Sequence, residues 1–250
     1  MRQTGSYIGC LIFILLSVSS ACSKGKAGTE AVISPVDTSK TKDTVIIKPP
    51  VNRRYLALGD SYTIGQSVAE SERYPRQLQD SLYKYGIAIT DLTIIARTGW
   101  TTYDLLNAIQ AAPPAGTYDL VTLLIGVNNQ YQGLSLSKYS NEFTSLLEKS
   151  MQNAGNDKNK VVVISIPDYS VVPFANYYDT AQIRTQLEAF NKVNKDITAQ
   201  YGIKYVDVFA LSQEAKYNKS LVANDSLHFS GKEYAKWTHL LVQEAKEILK

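Results

Sequence analysis

Several short segments of this chain are apolar almost without interruption: Tyr55 to Leu58 (Tyr-Leu-Ala-Leu), Leu120 to Ile125 (Leu-Val-Thr-Leu-Leu-Ile) and Val161 to Ile166 (Val-Val-Val-Ile-Ser-Ile). A strand with one wet face alternates polar and apolar side chains, so a strand that does not alternate is covered on both faces. Two more strand-like runs, 87–96 and 204–208, complete a set of five. Between them the spacing turns helical. Glu72 to Tyr85 places Tyr74, Leu78 and Leu82 on one face and stops at Gly86; Thr101 or Thr102 can cap a helix that runs to Ala111 and ends before Pro113-Pro114. Further helices are expected over 136–151, 180–200 (closed by Gly202) and 230–250. Strands alternating with helices, with both strand faces apolar, predict an α/β chain whose parallel sheet lies between two helix layers.

Such a sheet dictates where chemistry sits, because ligands bind outside the carboxyl ends of the strands. Four clusters fall there or in a late loop: Gly59-Asp60-Ser61, Arg97-Thr98-Gly99-Trp100, Gly126-Val127-Asn128-Asn129 and Asp225-Ser226-Leu227-His228. A serine hydroxyl is a weak nucleophile at neutral pH and needs a base, which in turn needs a group to orient it. Ser61 stands on a turn after a strand. The chain has two histidines; His239 falls within the last helix as a packing or surface residue, which leaves His228 as the base. Asp225, three residues earlier, is close enough to hold the other ring nitrogen. The amides of Ser61 and Gly99 and the side chain of Asn128 can meet a developing oxyanion.

Charge and cysteine usage exclude other chemistry. The formal net charge of +3 comes from residues 1–50, and the rest is balanced, so the domain lacks the basic footprint of a nucleic-acid binder. The two cysteines, Cys10 and Cys22, precede the folded part, which leaves the domain no disulfide framework, zinc cluster or cysteine nucleophile. No metal and no organic cofactor is expected.

Taken in order, the four clusters resemble the blocks of the SGNH subgroup of the GDSL esterases and lipases. Gly59-Asp60-Ser61 is similar to the first block, Gly99 stands at the second-block glycine, Gly126-Val127-Asn128 is similar to the third, and Asp225 to His228 to the last. The resemblance spans residues 53–250. It implies a three-layer α/β/α sandwich with a five-stranded parallel sheet, Ser61 as nucleophile, Asp225 and His228 as its acid and base, and Ser61, Gly99 and Asn128 as the oxyanion hole. Two positions depart from the family pattern: Tyr62 replaces a leucine, and Asn129 replaces an aspartate. Thr63 stands where a Gly-x-Ser-x-Gly motif would need glycine, which argues against the α/β-hydrolase fold.

The substrate implied is an ester: a lipid, a small ester or an acetylated glycan or cell-wall polymer. A tethered glycan-binding protein without activity is the contrasting reading. The loop from Pro167 through Tyr178 is rich in aromatics and follows a strand end, so it either overhangs the site or packs on the core. Trp100, Asn129, Tyr131 and Tyr169 are the expected substrate-contacting residues. At the N-terminus, Arg2, the apolar run Ile8 to Val18 and small residues to Ala21 read as an export signal over 1–21; the run is too short to span a bilayer of ~20 helical residues. Cys22 after small residues resembles the lipobox of bacterial lipoproteins, implying a lipid anchor and an envelope location. Residues 22–51 then form a tether of low apolar content, and the domain occupies 52–250. A monomer is compatible with this layout.

Overall fold

In the computed structural model, which describes residues 51–250, the first strand β1 (Arg53–Gly59) lies next to the centre of the sheet. It pairs in parallel with β2 (Ile89–Ala96) on one side and β3 (Leu120–Leu124) on the other; β4 (Val161–Ile164) and β5 (Lys204–Val206) follow, giving the order β2-β1-β3-β4-β5. The expected export signal 1–21, the lipidation site Cys22 and nearly all of the tether 22–51 lie outside the described residues.

The apolar runs behave as both-faces-covered strands should. Tyr55 to Leu58 and all of β3 and β4 are buried, whereas β2, an edge strand, is only partly covered. Helices α2 (Tyr74–Tyr83) and α8 (Gly231–Leu249) pack together as one layer. Helices α3 (Thr102–Ala111), α5 (Leu136–Asn153) and α6 (Thr180–Tyr201) form the other, so the expected three-layer α/β/α sandwich with a five-stranded parallel sheet is what the chain adopts. Thr101, not Thr102, caps α3, in a reciprocal box with Asp104. The α2 helix is shorter than its apolar spacing suggests, because Pro75 belongs in a first turn and Glu70–Glu72 form a separate 3₁₀ turn. Two short helices that periodicity cannot show, α1 (Ser61–Ile64) and α4 (Val127–Tyr131), begin directly beyond β1 and β3; α7 (Phe209–Ser212) follows β5.

Topology then places the site. The chain leaves β1 towards β2 on one side and later returns to β3 on the other, so the crevice opens between the carboxyl ends of β1 and β3. The register aligns Gly59 with Ala96 and with Leu124, which brings the turns after all three strands to one level.

Candidate active site

Two glycines let those turns approach. A Cβ on Gly59 would lie 2.1 Å from Thr63 Oγ1 and 2.4 Å from the Leu124 carbonyl oxygen. Gly126, at φ +133°, would press a Cβ to within 2.7 Å of both Ile166 and Tyr139. No side chain fits either position. Asp60 caps α1 by accepting the Tyr62 amide at 3.0 Å, and so sets Ser61 at the head of the turn. Its carboxyl is fully buried and Oδ2 has no hydrogen-bond partner; burial pushes it up to about 7, against the weaker opposing pull of nearby amides of Tyr62 and Gly126.

His228 arrives from the far end of the sequence on a loop closed by the antiparallel bridge between Val222 and Phe229. Asp225 holds it as its spacing suggests: Nδ1 of His228 lies 2.6 Å from Asp225 Oδ2. The other carboxylate oxygen accepts the amides of Leu227 and His228, each at 2.9 Å. Burial alone would raise the Asp225 carboxyl. Hydrogen bonds from Ser67, His228 and the two amides outweigh it and bring the group down to about 2, so Asp225 is an anion at any working pH. Tyr62 packs edge-on against the imidazole with ring centroids 5.8 Å apart, and behind it against Phe229 and Trp237. The departure from leucine at position 62 thus supplies an aromatic wall for the imidazole of His228.

Ser61 and His228 line one cavity of about 150 Å³, together with Tyr62, Val127, Asn128, Tyr131, Tyr169, Phe174 and Leu227. Among the described residues the ring nitrogen bond of His228 runs to Asp225 and none joins it to Ser61; hydrogen bonds in unliganded sites are often long and tighten only when a ligand fills the site. One N–H of the Asn128 side chain donates to the Trp100 carbonyl at 3.0 Å, which fixes the plane of the amide beside the cavity. Gly99 stands in the neighbouring turn at φ +85°, joined to the Ser61 turn through the Thr98–Gln66 hydrogen bond of 2.6 Å, but does not itself line the cavity.

Of the four residues expected to touch substrate, Tyr131 and Tyr169 line the cavity, and Trp100 and Asn129 do not. Trp100 serves through its carbonyl, with a ring half-buried against the core. Asn129 is fully buried: its Oδ1 accepts the Thr102 amide at 3.0 Å and its Nδ2 donates to Thr102 Oγ1 at 2.6 Å. That hydroxyl already gives its proton to Glu142, so it needs a donor opposite, and a carboxylate at 129 would have none to offer. Asparagine at 129 thus suits this pocket, where a carboxylate would face Glu142 across the Thr102 hydroxyl.

The loop from Pro167 to Tyr178 both packs and overhangs. Asp168, buried, accepts from Arg184, Gln213 and the Ser170 amide, while Tyr169 donates to Gln130 at 2.9 Å. Phe174 lines the cavity, and its amide donates to the Ser226 carbonyl at 2.9 Å, so the aromatic loop and the loop that carries His228 are tied together. Rings of Tyr131, Phe174 and Tyr178 cluster at the rim with centroids 5.3 to 6.3 Å apart. Leu227 and Val127, which complete the lining, carry no signal in sequence beyond adjacency to the base and to Asn128.

The family model for the GDSL-like lipase/acylhydrolase family matches residues 57–236. Among solved structures, this chain is similar to TesA at 20% identity, covering 79% of this chain and 100% of that one with a TM-score of 0.63. It is similar to the lipase/acylhydrolase from Enterococcus faecalis at 21% identity, covering 79% and 97% with a TM-score of 0.60. It is also similar to the psychrotrophic esterase EstA from Pseudoalteromonas sp., at 20% identity, covering 78% and 98% with a TM-score of 0.57. A search among curated protein sequences gave no match.

Proposed function

The chain belongs to the GDSL-like lipase/acylhydrolase family, a family of serine ester hydrolases, and from that premise we propose that it cleaves carboxylic esters of short acyl chain through an acyl-enzyme on Ser61. The observation that carries the reading is the meeting of Ser61 and His228 in one cavity with Asp225 2.6 Å behind the imidazole.

In this reading Nε2 of His228 takes the Ser61 proton as Oγ attacks the ester carbonyl. The tetrahedral oxyanion is met by the Ser61 amide and the second N–H of Asn128; the Gly99 amide, the third donor expected from sequence, stands in the neighbouring turn outside the cavity lining. Asp225, already an anion, stabilises the imidazolium. His228 then returns the proton to the leaving alcohol, the carbon–oxygen bond breaks, and the acyl group stays on Ser61. Water, deprotonated by the same imidazole, attacks the acyl-serine; the carboxylic acid leaves and Ser61 regains its proton. An apolar cavity of about 150 Å³, roughly the capacity of one benzene ring, supports a short acyl group.

Ser61→Ala tests this. The variant is expected to lose hydrolysis of p-nitrophenyl acetate and butyrate with unchanged thermal unfolding, and an alkyl phosphonate is expected to label wild type on Ser61 alone. The solved EstA structure was inhibited by monoethylphosphonate, which makes that reagent class a sensible probe. Full activity in the folded variant would end the proposal.

The rim supports a second reading, acetyl esters on a glycan. Tyr131 and Tyr178 stand about half exposed beside a mouth that admits a small acyl group, as sugar-stacking platforms do. Release of acetate from an acetylated polymer in preference to small butyrate esters would favour it. The envelope tether through Cys22 belongs to the proposal as well and rests on the sequence of residues 1–22. It requires labelled palmitate to enter wild type and not Cys22→Ala.

A further inference from the structure

Ser67 sits six residues after the nucleophile and touches the acid. Its hydroxyl donates to Asp225 Oδ2 at 2.6 Å, the same oxygen that meets His228 Nδ1 at 2.6 Å. The carboxylate does not need it for orientation, since Oδ1 is already gripped by the amides of Leu227 and His228. What Ser67 adds is a second donor on the oxygen that faces the base.

The backbone is distorted to deliver it. Ser67 has φ +66°, one of three positive values at non-glycine positions among the described residues; another, Ser226, adjoins Asp225 itself. Such a conformation disfavours a side chain and persists where surrounding contacts impose it. Here the Gln66 amide donates to the Ser61 carbonyl at 2.9 Å, Gln66 Oε1 accepts from Thr98, and Gly65 ends α1 in the left-handed region. One loop therefore touches the nucleophile turn, the Gly99 turn and the acid. A glycine at 67 would relieve the backbone and lose the donor.

We propose that Ser67 is a positioning residue of the Asp225–His228 pair, drawing negative charge from the carboxylate oxygen that faces the imidazole and so setting the pH at which the base becomes free to accept a proton. The electrostatic direction follows from the shared oxygen. With Ser67 absent, Oδ2 carries more charge towards His228, the imidazolium is better stabilised, and the base stays protonated to higher pH. The titratable groups around the pair are Tyr62 on α1, Tyr169 in the cavity lining, Tyr234 on α8 and the buried Asp60 that caps α1. Burial holds the three phenols above their ordinary value, so they remain neutral throughout the range in question; Asp60, pushed up to about 7, is common to wild type and every Ser67 variant, and its influence cancels in the comparison.

The catalytic meaning of this proposal rests on the ester-hydrolase reading, but its test does not. The chain has two histidines, and His239→Gln leaves His228 as the sole imidazole for NMR titration. In that background Ser67→Gly and Ser67→Ala are expected to move the midpoint upward by about 0.5 pH unit, a roughly threefold tighter hold on the proton for the loss of one exposed donor to a carboxylate. Ser67→Thr, which keeps a hydroxyl on a β-branched residue at positive φ, is expected to keep the midpoint within about 0.2 pH unit. Thermal stability should run the other way, with the Gly variant at or above wild type and the Thr variant below it. A purely structural role would tie the midpoint to stability. The proposal is overturned if the folded Gly and Ala variants titrate at or below wild type, or if Thr shifts as far as Gly. In the ester assay the acid limb of kcat/KM should follow the NMR midpoint. If the midpoints move as stated while wild type hydrolyses no ester, the enzymatic reading fails and the role of Ser67 stands.

Discussion

Replacing Asp60 by asparagine removes an ionisable group from a fully buried point beside Ser61, and the consequence is a change in how stability depends on pH. Asp60 is fully buried, with one oxygen on the Tyr62 amide and the other without a partner. Its carboxyl stands at about 7 because burial disfavours the anion, against an ordinary value of 3.8. A folded-state value above the unfolded one means that the native protein binds the proton more tightly. The corresponding stability is fully present below about pH 4, is lost as pH rises to about 7, and stays constant above that. Three pH units at 1.36 kcal/mol each make the loss up to about 4 kcal/mol. Asparagine keeps the cap on α1 but cannot ionise. Urea unfolding of wild type and Asp60→Asn at intervals from pH 4 to pH 8 is the assay. Asp225 contributes in the opposite sense, gaining stability from about pH 2 to pH 4, outside the window. Glu233, raised by its own burial, contributes in the same sense as Asp60 in both proteins and cancels in the difference. The wild-type curve should fall towards neutral pH relative to the variant by a few kcal/mol and then run parallel to it. Curves parallel from pH 4 to pH 8 would refute the reasoning, whatever their offset.

The remaining predictions concern the cavity. On the proposed mechanism Asn128→Ala should lower kcat by about 10² to 10³ with little change in KM, because its second N–H would act on charge that develops only in the transition state; a loss confined to KM would reassign it to ground-state binding. Phe174→Ala removes part of the cavity wall and should raise the preference for hexanoyl and octanoyl over acetyl esters by roughly tenfold, about two further buried methylenes at ~0.8 kcal/mol each. An unchanged chain-length profile would show that the acyl chain lies elsewhere.

Much of this molecule is legible in its sequence because the signals are local and repeated. Tyr55 to Leu58, Leu120 to Ile125 and Val161 to Ile166 declare buried strands by refusing to alternate, and Gly202 marks the end of α6. Asp225 and His228 are three residues apart, so a single turn joins them. Less legible were Trp100 and Asn129, whose residue types suit ligand contact but whose amides and carbonyls serve the scaffold: polarity alone does not separate a group facing a cavity from one satisfying a buried neighbour. Ser67 gave no signal either, since neither its positive φ nor its reach to a carboxylate 158 positions away leaves a trace in composition or period.

Residue order and type alone determined the alternation of strand and helix, and with it the parallel sheet, the neutral charge of the domain and the short roster of groups able to act on an ester, because each depends on periods of two to four residues or on simple counts. Only the tertiary structure decided that a serine near position 60 and a histidine near 230 share one small cavity, how large that cavity is, and which polar side chains face it. Those are distances between segments brought together by packing, and a linear pattern carries no record of them.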